Sequence, residues 1–208
     1  MSTVLFVKAN GRPADQAASV KLYDAFLKSY KESHAADTIV ELDLFAEELP
    51  YYDVDTLNGL FKLGKGFELT SVEQQKADNV NKYLDQFLAA DKVVFAFPLW
   101  NFTVPAQLLT YLFYILQAGK TFSYTAEGPK GLQGGKKVAL LNARGGVYSE
   151  GPAAAIEMSL NYVKTIMGFI GVQDITTVVV EGHNQFPDKA ESIIQEGLAQ
   201  AAAAAASF

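Results

Sequence analysis

The stretch Phe97-Pro98-Leu99-Trp100-Asn101-Phe102-Thr103-Val104-Pro105 holds the only tryptophan of the chain, with an asparagine and a phenylalanine beside it and a proline near each end. Core packing accounts for aromatic residues inside a strand. It accounts less well for a tryptophan in a proline-bracketed loop. A planar aromatic ligand stacked on this loop accounts for Trp100, Asn101 and Phe102 together.

Two further stretches complement it. Asn142-Ala143-Arg144-Gly145-Gly146-Val147-Tyr148 has adjacent glycines that can present N–H groups at close range, with a cation next to them. Such donors suit the N1–C2=O2 edge of a flavin, where negative charge builds on reduction. Taken alone, the motif is also an ordinary glycine-rich turn from strand to helix. Asn10 to Ser19 leads into a helix start, where exposed N–H groups and the helix dipole favour an anion. Asn10 and Ser19 can add side-chain donors, while Ala17 and Ala18 let a ligand approach the backbone closely. Neither G-x-x-x-x-G-K-[ST] nor G-x-G-x-x-G is present, so a mononucleotide phosphate fits better than a dinucleotide.

Other chemistries lack their residues. The chain has no cysteine, which excludes thiolate catalysis, dithiol exchange and disulfides. His34 and His183 are far apart, with no carboxylates at matched spacing, so no metal site is expected. His34 is expected to be solvated near a helix end. His183 follows a strand in Glu181-Gly182-His183-Asn184, and lines a substrate pocket, supplies a proton near neutral pH, or simply sits in a surface loop. A formal charge of -6 without clustered cations argues against nucleic-acid binding.

The elements that must position these loops read as alternating strands and helices. Val4–Val7, Thr38–Leu42, Val93–Phe97, Val138–Leu141 and Thr176–Val180 are short apolar or β-branched runs. Helices are expected from about Asp15, with Asp15 or a neighbour as cap, over Glu73–Leu88, Ala106–Ala118 and Ile156–Ile170, and from about Asp188 into the Ala201–Ala206 tract. Leu49–Phe67 reads as loop plus one short helix, and Lys120–Gln133 as a hairpin or excursion. The sum is an α/β fold with a parallel sheet, one domain over residues 1–208. In such sheets ligands bind beyond the carboxyl ends of the strands, where all three loops fall. The start of the chain has no secretory signal pattern, and Val104–Ala118 is shorter than the ~20 residues of a spanning helix. A cytoplasmic protein that meets no membrane is expected.

Taken together, these residues resemble the FMN-dependent NADH-azoreductases, within the flavodoxin-like quinone reductases. The likeness rests on the Asn10–Ser19 loop, Pro98-Leu99-Trp100-Asn101-Phe102 with Pro105-Ala106, Phe122-Ser123-Tyr124-Thr125 before Gly128-Pro129, Arg144-Gly145-Gly146 and Gly168-Phe169-Ile170-Gly171. It implies a flavodoxin-like, doubly wound five-stranded parallel sheet of order 2-1-3-4-5. It implies tightly bound FMN held by Asn10, Ala17, Ala18, Ser19, Pro98, Leu99, Trp100, Asn101, Phe102, Asn142, Ala143, Arg144, Gly145 and Gly146. Such relatives often carry hydroxyl residues where this chain has Ala17 and Ala143. The implied reaction is ping-pong reduction of azo compounds and quinones by NADH or NADPH, with the cofactor rather than a side chain as the reactive group.

Tyr124, Tyr148, Phe169 and His183 are candidate substrate-pocket residues. Tyr51, Tyr52 and Phe61 either form a lid or pack the irregular segment. Helices 106–118 and 156–170 are apolar on more than one face, which predicts a two-fold homodimer. The resemblance adds an active site at the interface, where Tyr124 or Phe169 reaches the partner's flavin. The alternative is a flavodoxin-type FMN electron carrier with no small-molecule acceptor of its own. The excursions at 49–67 and 119–136 favour a built substrate pocket over it.

Overall fold

The computed structural model describes residues 1–208. Its sheet is built from β1 (Thr3–Lys8), β2 (Thr38–Asp43), β3 (Lys92–Pro98), β6 (Lys137–Arg144) and β7 (Asp174–Glu181), in the order β2-β1-β3-β6-β7. Every neighbouring pair is parallel. Counting only these strands, the order is the expected 2-1-3-4-5. The expected hairpin is β4 (Phe122–Thr125) with β5 (Gly128–Gly131), an antiparallel pair apart from the main sheet.

The central strands read as unbroken apolar runs because both of their faces are covered. Along β1, side chains alternate between two cores. Leu5 and Val7 join a cluster with α3 (Ser71–Ala89), α4 (Ala106–Ile115) and α5 (Leu160–Phe169). Val4 and Phe6 join another with α1 (Ala18–Ser33) and α6 (Ala190–Ser207). The alanine tract is the end of α6, with Ala201 and Ala205 buried against the sheet.

Several boundaries differ from the sequence reading, three of them at the loops that form the site. The helix expected from Asp15 begins at Ala18. Residues Ala14–Gln16 form a separate 3-10 turn, and the capping position is Ala17, extended at φ -140°, with no side-chain cap. Strand β6 runs on through Arg144, so Asn142, Ala143 and Arg144 are strand residues rather than loop. The helix expected over 156–170 is divided. Pro152–Ile156 is a 3-10 turn, and α5 starts only at Leu160. The divider is Glu157, whose carboxylate accepts from the backbone N–H groups of Ser159 (2.9 Å), Leu160 (2.8 Å) and Asn161 (3.1 Å). It satisfies the first-turn donors from outside the helix.

Helix α4 ends at Ile115, short of the expected Ala118. It is covered largely by its own chain: Leu108, Tyr111, Leu112, Tyr114 and Ile115 are buried, and Phe113 is exposed. The broad exposed apolar face lies instead on α2 (Val54–Lys65), where Val54, Leu57 and Phe61 face outward.

Candidate cofactor site

Beyond the carboxyl ends of β1, β3, β6 and β7 lies a cavity of about 460 Å³. That is within the ~300–1,000 Å³ of ordinary small-molecule sites. It brings together ten of the residues singled out from the sequence: Asn10, Ala17, Ala18, Ser19, Pro98, Leu99, Trp100, Ala143, Gly145 and His183. Four elements that are remote in sequence thus share one wall.

One end of the cavity is built for an anion. The first turn of α1 leaves the N–H groups of Ala18 and Ser19 without a partner in the chain. Asn10 Nδ2 donates to Ser19 Oγ at 2.9 Å, and Asn10 Oδ1 accepts from the Arg12 N–H at 3.0 Å. Asn10 therefore fixes the loop, and the Ser19 hydroxyl keeps its own hydrogen free to donate. Arg12 and Lys21 also line this end. The sequence reading passed over both. Lys21 had a legible signal, since it lies four residues after Ala17 and so on the same helix face.

The other end is aromatic. Trp100 lines it, about a third exposed. Trp100 and Thr103 exchange backbone hydrogen bonds at 2.9 and 3.0 Å, closing a tight turn. The two residues inside that turn, Asn101 (φ 48°) and Phe102 (φ 71°), are both left-handed. For asparagine this is a modest departure, but for phenylalanine it is strain held by surrounding contacts. Two such contacts are visible: the Phe102 carbonyl accepts from Met158 N–H at 2.9 Å, and the Phe102 ring lies 6.5 Å from that of Tyr148. Asn101 and Phe102 do not line the cavity, and both are exposed beside Trp100.

Gly145 lies close under the Asn184 side chain, which any Cβ there would have to displace. A Cβ there would lie 2.5 Å from Asn184 Nδ2. The Gly145 carbonyl accepts from the N–H groups of Asn184 (2.9 Å) and Gln185 (3.1 Å), which clamps the segment after β7 onto the segment after β6. This clamp carries His183 to the cavity. His183 Nδ1 is buried without a partner. Burial, and then the positive charge of Lys21, hold the imidazole pKa below the usual histidine value.

Asn142, Arg144 and Gly146 do not line the cavity. The expected free cation of Arg144 is not there to meet a ligand. Its side chain is buried, donating to Asn142 Oδ1 at 2.7 Å and to Glu181 Oε2 at 3.3 Å. Asn142 in turn donates to the Phe97 carbonyl (3.2 Å) and Ser159 Oγ (3.3 Å). Of the candidate substrate-pocket residues, Tyr148 sits beside Gly146, while Tyr124 and Phe169 flank Phe122 in a separate exposed patch. Tyr52 packs against Phe113 and Tyr114, and Phe61 lies exposed against Phe67. None of these residues reaches the cavity within one chain.

The fold and cavity define an α/β protein with a pocket at the carboxyl ends of its strands, lined by helix N–H groups and cations together with Trp100. Comparison with known proteins gives the family. The model of the flavodoxin-like fold family matches residues 2–205. An FMN-dependent NADH:quinone oxidoreductase of Bacillus cereus is 65% identical over 208 residues, all of both chains. A crystal structure of an azoreductase from Bacillus anthracis superposes with a TM-score of 0.98, at 65% identity and full coverage of both chains. A second Bacillus anthracis structure, an FMN-dependent NADH-azoreductase in complex with FMN, gives a TM-score of 0.92 at 30% identity. It covers 99% of this chain and 98% of that one. The chain belongs to the flavodoxin-like family, among the FMN-dependent NADH:quinone oxidoreductases and azoreductases.

Proposed function

We propose that this protein is an FMN-dependent oxidoreductase that passes electrons from NADH to quinones and azo compounds. One observation carries the reading. A single cavity joins unpaired helix N–H groups and two cations to a tryptophan wall, in a chain of this family.

The residues present fit FMN. The phosphate would lie at Ala18, Ser19, Arg12 and Lys21, where backbone donors and positive charge converge. The ring would lie against Leu99 and Trp100, with Ala143 and Gly145 at its edge. Ala17, Ala18 and Ala143 carry no hydroxyl, so donation at those positions is from the backbone alone. When bound, FMN would supply the two-electron exchange between nicotinamide and acceptor. The chain's own part is to orient the ring and to meet its negative edge with N–H groups. Asn142 and Arg144 act through the scaffold, by tying β3, β6, β7 and the start of α5 together beneath the site.

Residues 1–208 act as one domain in this reading. The helices on both faces of the sheet support a doubly wound arrangement. A homodimer completes the site. Tyr124, Phe169 and the α2 face with Phe61 are exposed apolar groups that a second copy would cover, and none of them lines the cofactor cavity in a single chain. No helix is long and apolar enough to cross a membrane.

The test is a two-substrate initial-rate study with NADH and a benzoquinone. Parallel double-reciprocal lines are expected, because donor and acceptor use one site in turn. Intersecting lines would overturn the shared site.

A further inference from the structure

Phe45 belongs to none of the three loop motifs, yet its ring lies between Trp100, which lines the cavity, and Gly11, which neighbours the lining residues Asn10 and Arg12. On one side lies Trp100, with ring centroids 6.0 Å apart and planes at 80°. On the other lies Gly11. A methyl group on Gly11 would meet Phe45 Cδ1 at 2.7 Å and Cγ at 3.0 Å. The backbone under the ring is tethered. The Phe45 N–H donates to Asp43 Oδ1 at 3.0 Å, Asp43 pairs with Lys8 at 2.7 Å, and the Leu44 N–H donates to the Lys8 carbonyl at 3.0 Å. The ring is therefore held between the loop that carries the anion donors and the turn that carries the tryptophan.

We propose that Phe45 is a positioning residue. It acts as a strut that sets the spacing between Gly11 and Trp100, and through it the fit of a cofactor that spans both ends. The proposal rests on the FMN reading for its ligand. Gly11 belongs to the same device. It does not adopt a positive φ, so its backbone accepts alanine, and the resistance to a side chain there comes from Phe45. An edge-to-face aromatic pair also has a preferred geometry, which a displaced Phe45 ring would pass on to the indole.

The chain has one tryptophan, so its emission reports Trp100 alone. Four proteins are compared: wild type, Gly11→Ala, Phe45→Ala and the double variant, with far-UV circular dichroism as a check on folding. Gly11→Ala is expected to shift Trp100 emission and to weaken FMN binding about three- to tenfold, the scale of one aromatic contact. In the Phe45→Ala background the same change is expected to leave emission unmoved and affinity within about twofold, since the strut that transmits it is gone. Phe45→Tyr, which keeps the ring, is expected to retain the coupling.

Equal effects of Gly11→Ala in both backgrounds would overturn the strut. So would an unmoved emission in the Gly11→Ala single variant. A wild-type protein that binds no FMN would overturn the cofactor reading and the affinity half of the proposal. The emission half is decided on the FMN-free protein in either case.

Discussion

Arg144 Nε donates to Asn142 Oδ1 at 2.7 Å, and both side chains are buried two residues apart on β6. The pair begins a network that runs from Glu181 on β7 to the Phe97 carbonyl on β3 and Ser159 at the start of α5. The arginine is thus part of the platform under the cavity. Removing it would leave Glu181 partly buried, with its charge met only by the Tyr148 and Ser149 N–H groups and the Ser149 hydroxyl. Arg144→Met is expected to lower unfolding free energy by about 3 kcal/mol, at the lower end for breaking a buried pair. Urea denaturation measures this, and an unchanged midpoint would show that the pair is not structural.

Phe102 stores strain for the sake of the turn it shares with Asn101. Phe102→Gly removes the left-handed penalty of about 1–2 kcal/mol and loses the ring contact with Tyr148, a term of similar size. The FMN-free variant is therefore expected to melt close to the wild type. FMN affinity is expected to fall, because the turn beside Trp100 becomes free to move. A thermal melt with and without FMN separates the two effects. A large loss of stability without cofactor would contradict the strain argument.

Arg12 and Lys21 should matter to the phosphate and not to the ring. Arg12→Ala and Lys21→Ala are each expected to weaken FMN binding about five- to tenfold. Binding of riboflavin, which lacks the phosphate, should be nearly unaffected. Raising salt should erode the FMN preference in the wild type. Equal losses for both ligands would place the phosphate elsewhere.

His183 gives a pH signature to the protein without cofactor. Its folded-state pKa is held below the ordinary histidine value of 6.5 by burial first and the Lys21 charge second. Between the lowered value and 6.5 the unfolded chain binds more protons than the folded one, so stability rises with pH through that window. This contribution is intact above 6.5 and is lost as pH falls below it. Urea midpoints measured from neutral pH down through about 6 should decline less in His183→Gln than in the wild type. Identical slopes would count against a half-buried imidazole held neutral by its surroundings.

Much of this was legible in the residues. Val93–Phe97 reads as a strand because a central parallel strand is apolar on both faces, and it is one. Trp100 between Pro98 and Pro105 pointed to the cavity, and Trp100 lines it. Two kinds of information were hidden. Ala17 gives no capping signal, so nothing local marks the start of α1 at Ala18 rather than Asp15. Glu157 is an ordinary acidic residue in sequence, and only its three backbone partners reveal why α5 begins late. The fate of Arg144 depends on Glu181, thirty-seven residues away in the chain, and no periodicity reports such a pair. The α2 face is the reverse case. Leu49–Phe67 reads only as loop plus one short helix, because Gly59 and Gly64 obscure the apolar face that Val54, Leu57 and Phe61 share on it.

The central claim is that bound FMN connects NADH to a quinone. An anaerobic titration of the purified yellow protein with NADH tests it most directly, followed at the flavin absorbance band. The account predicts complete bleaching by one equivalent of NADH per flavin, and full return of the colour on adding one equivalent of benzoquinone. A colourless protein that stays colourless after FMN is added, or a flavin that NADH does not bleach, would contradict it.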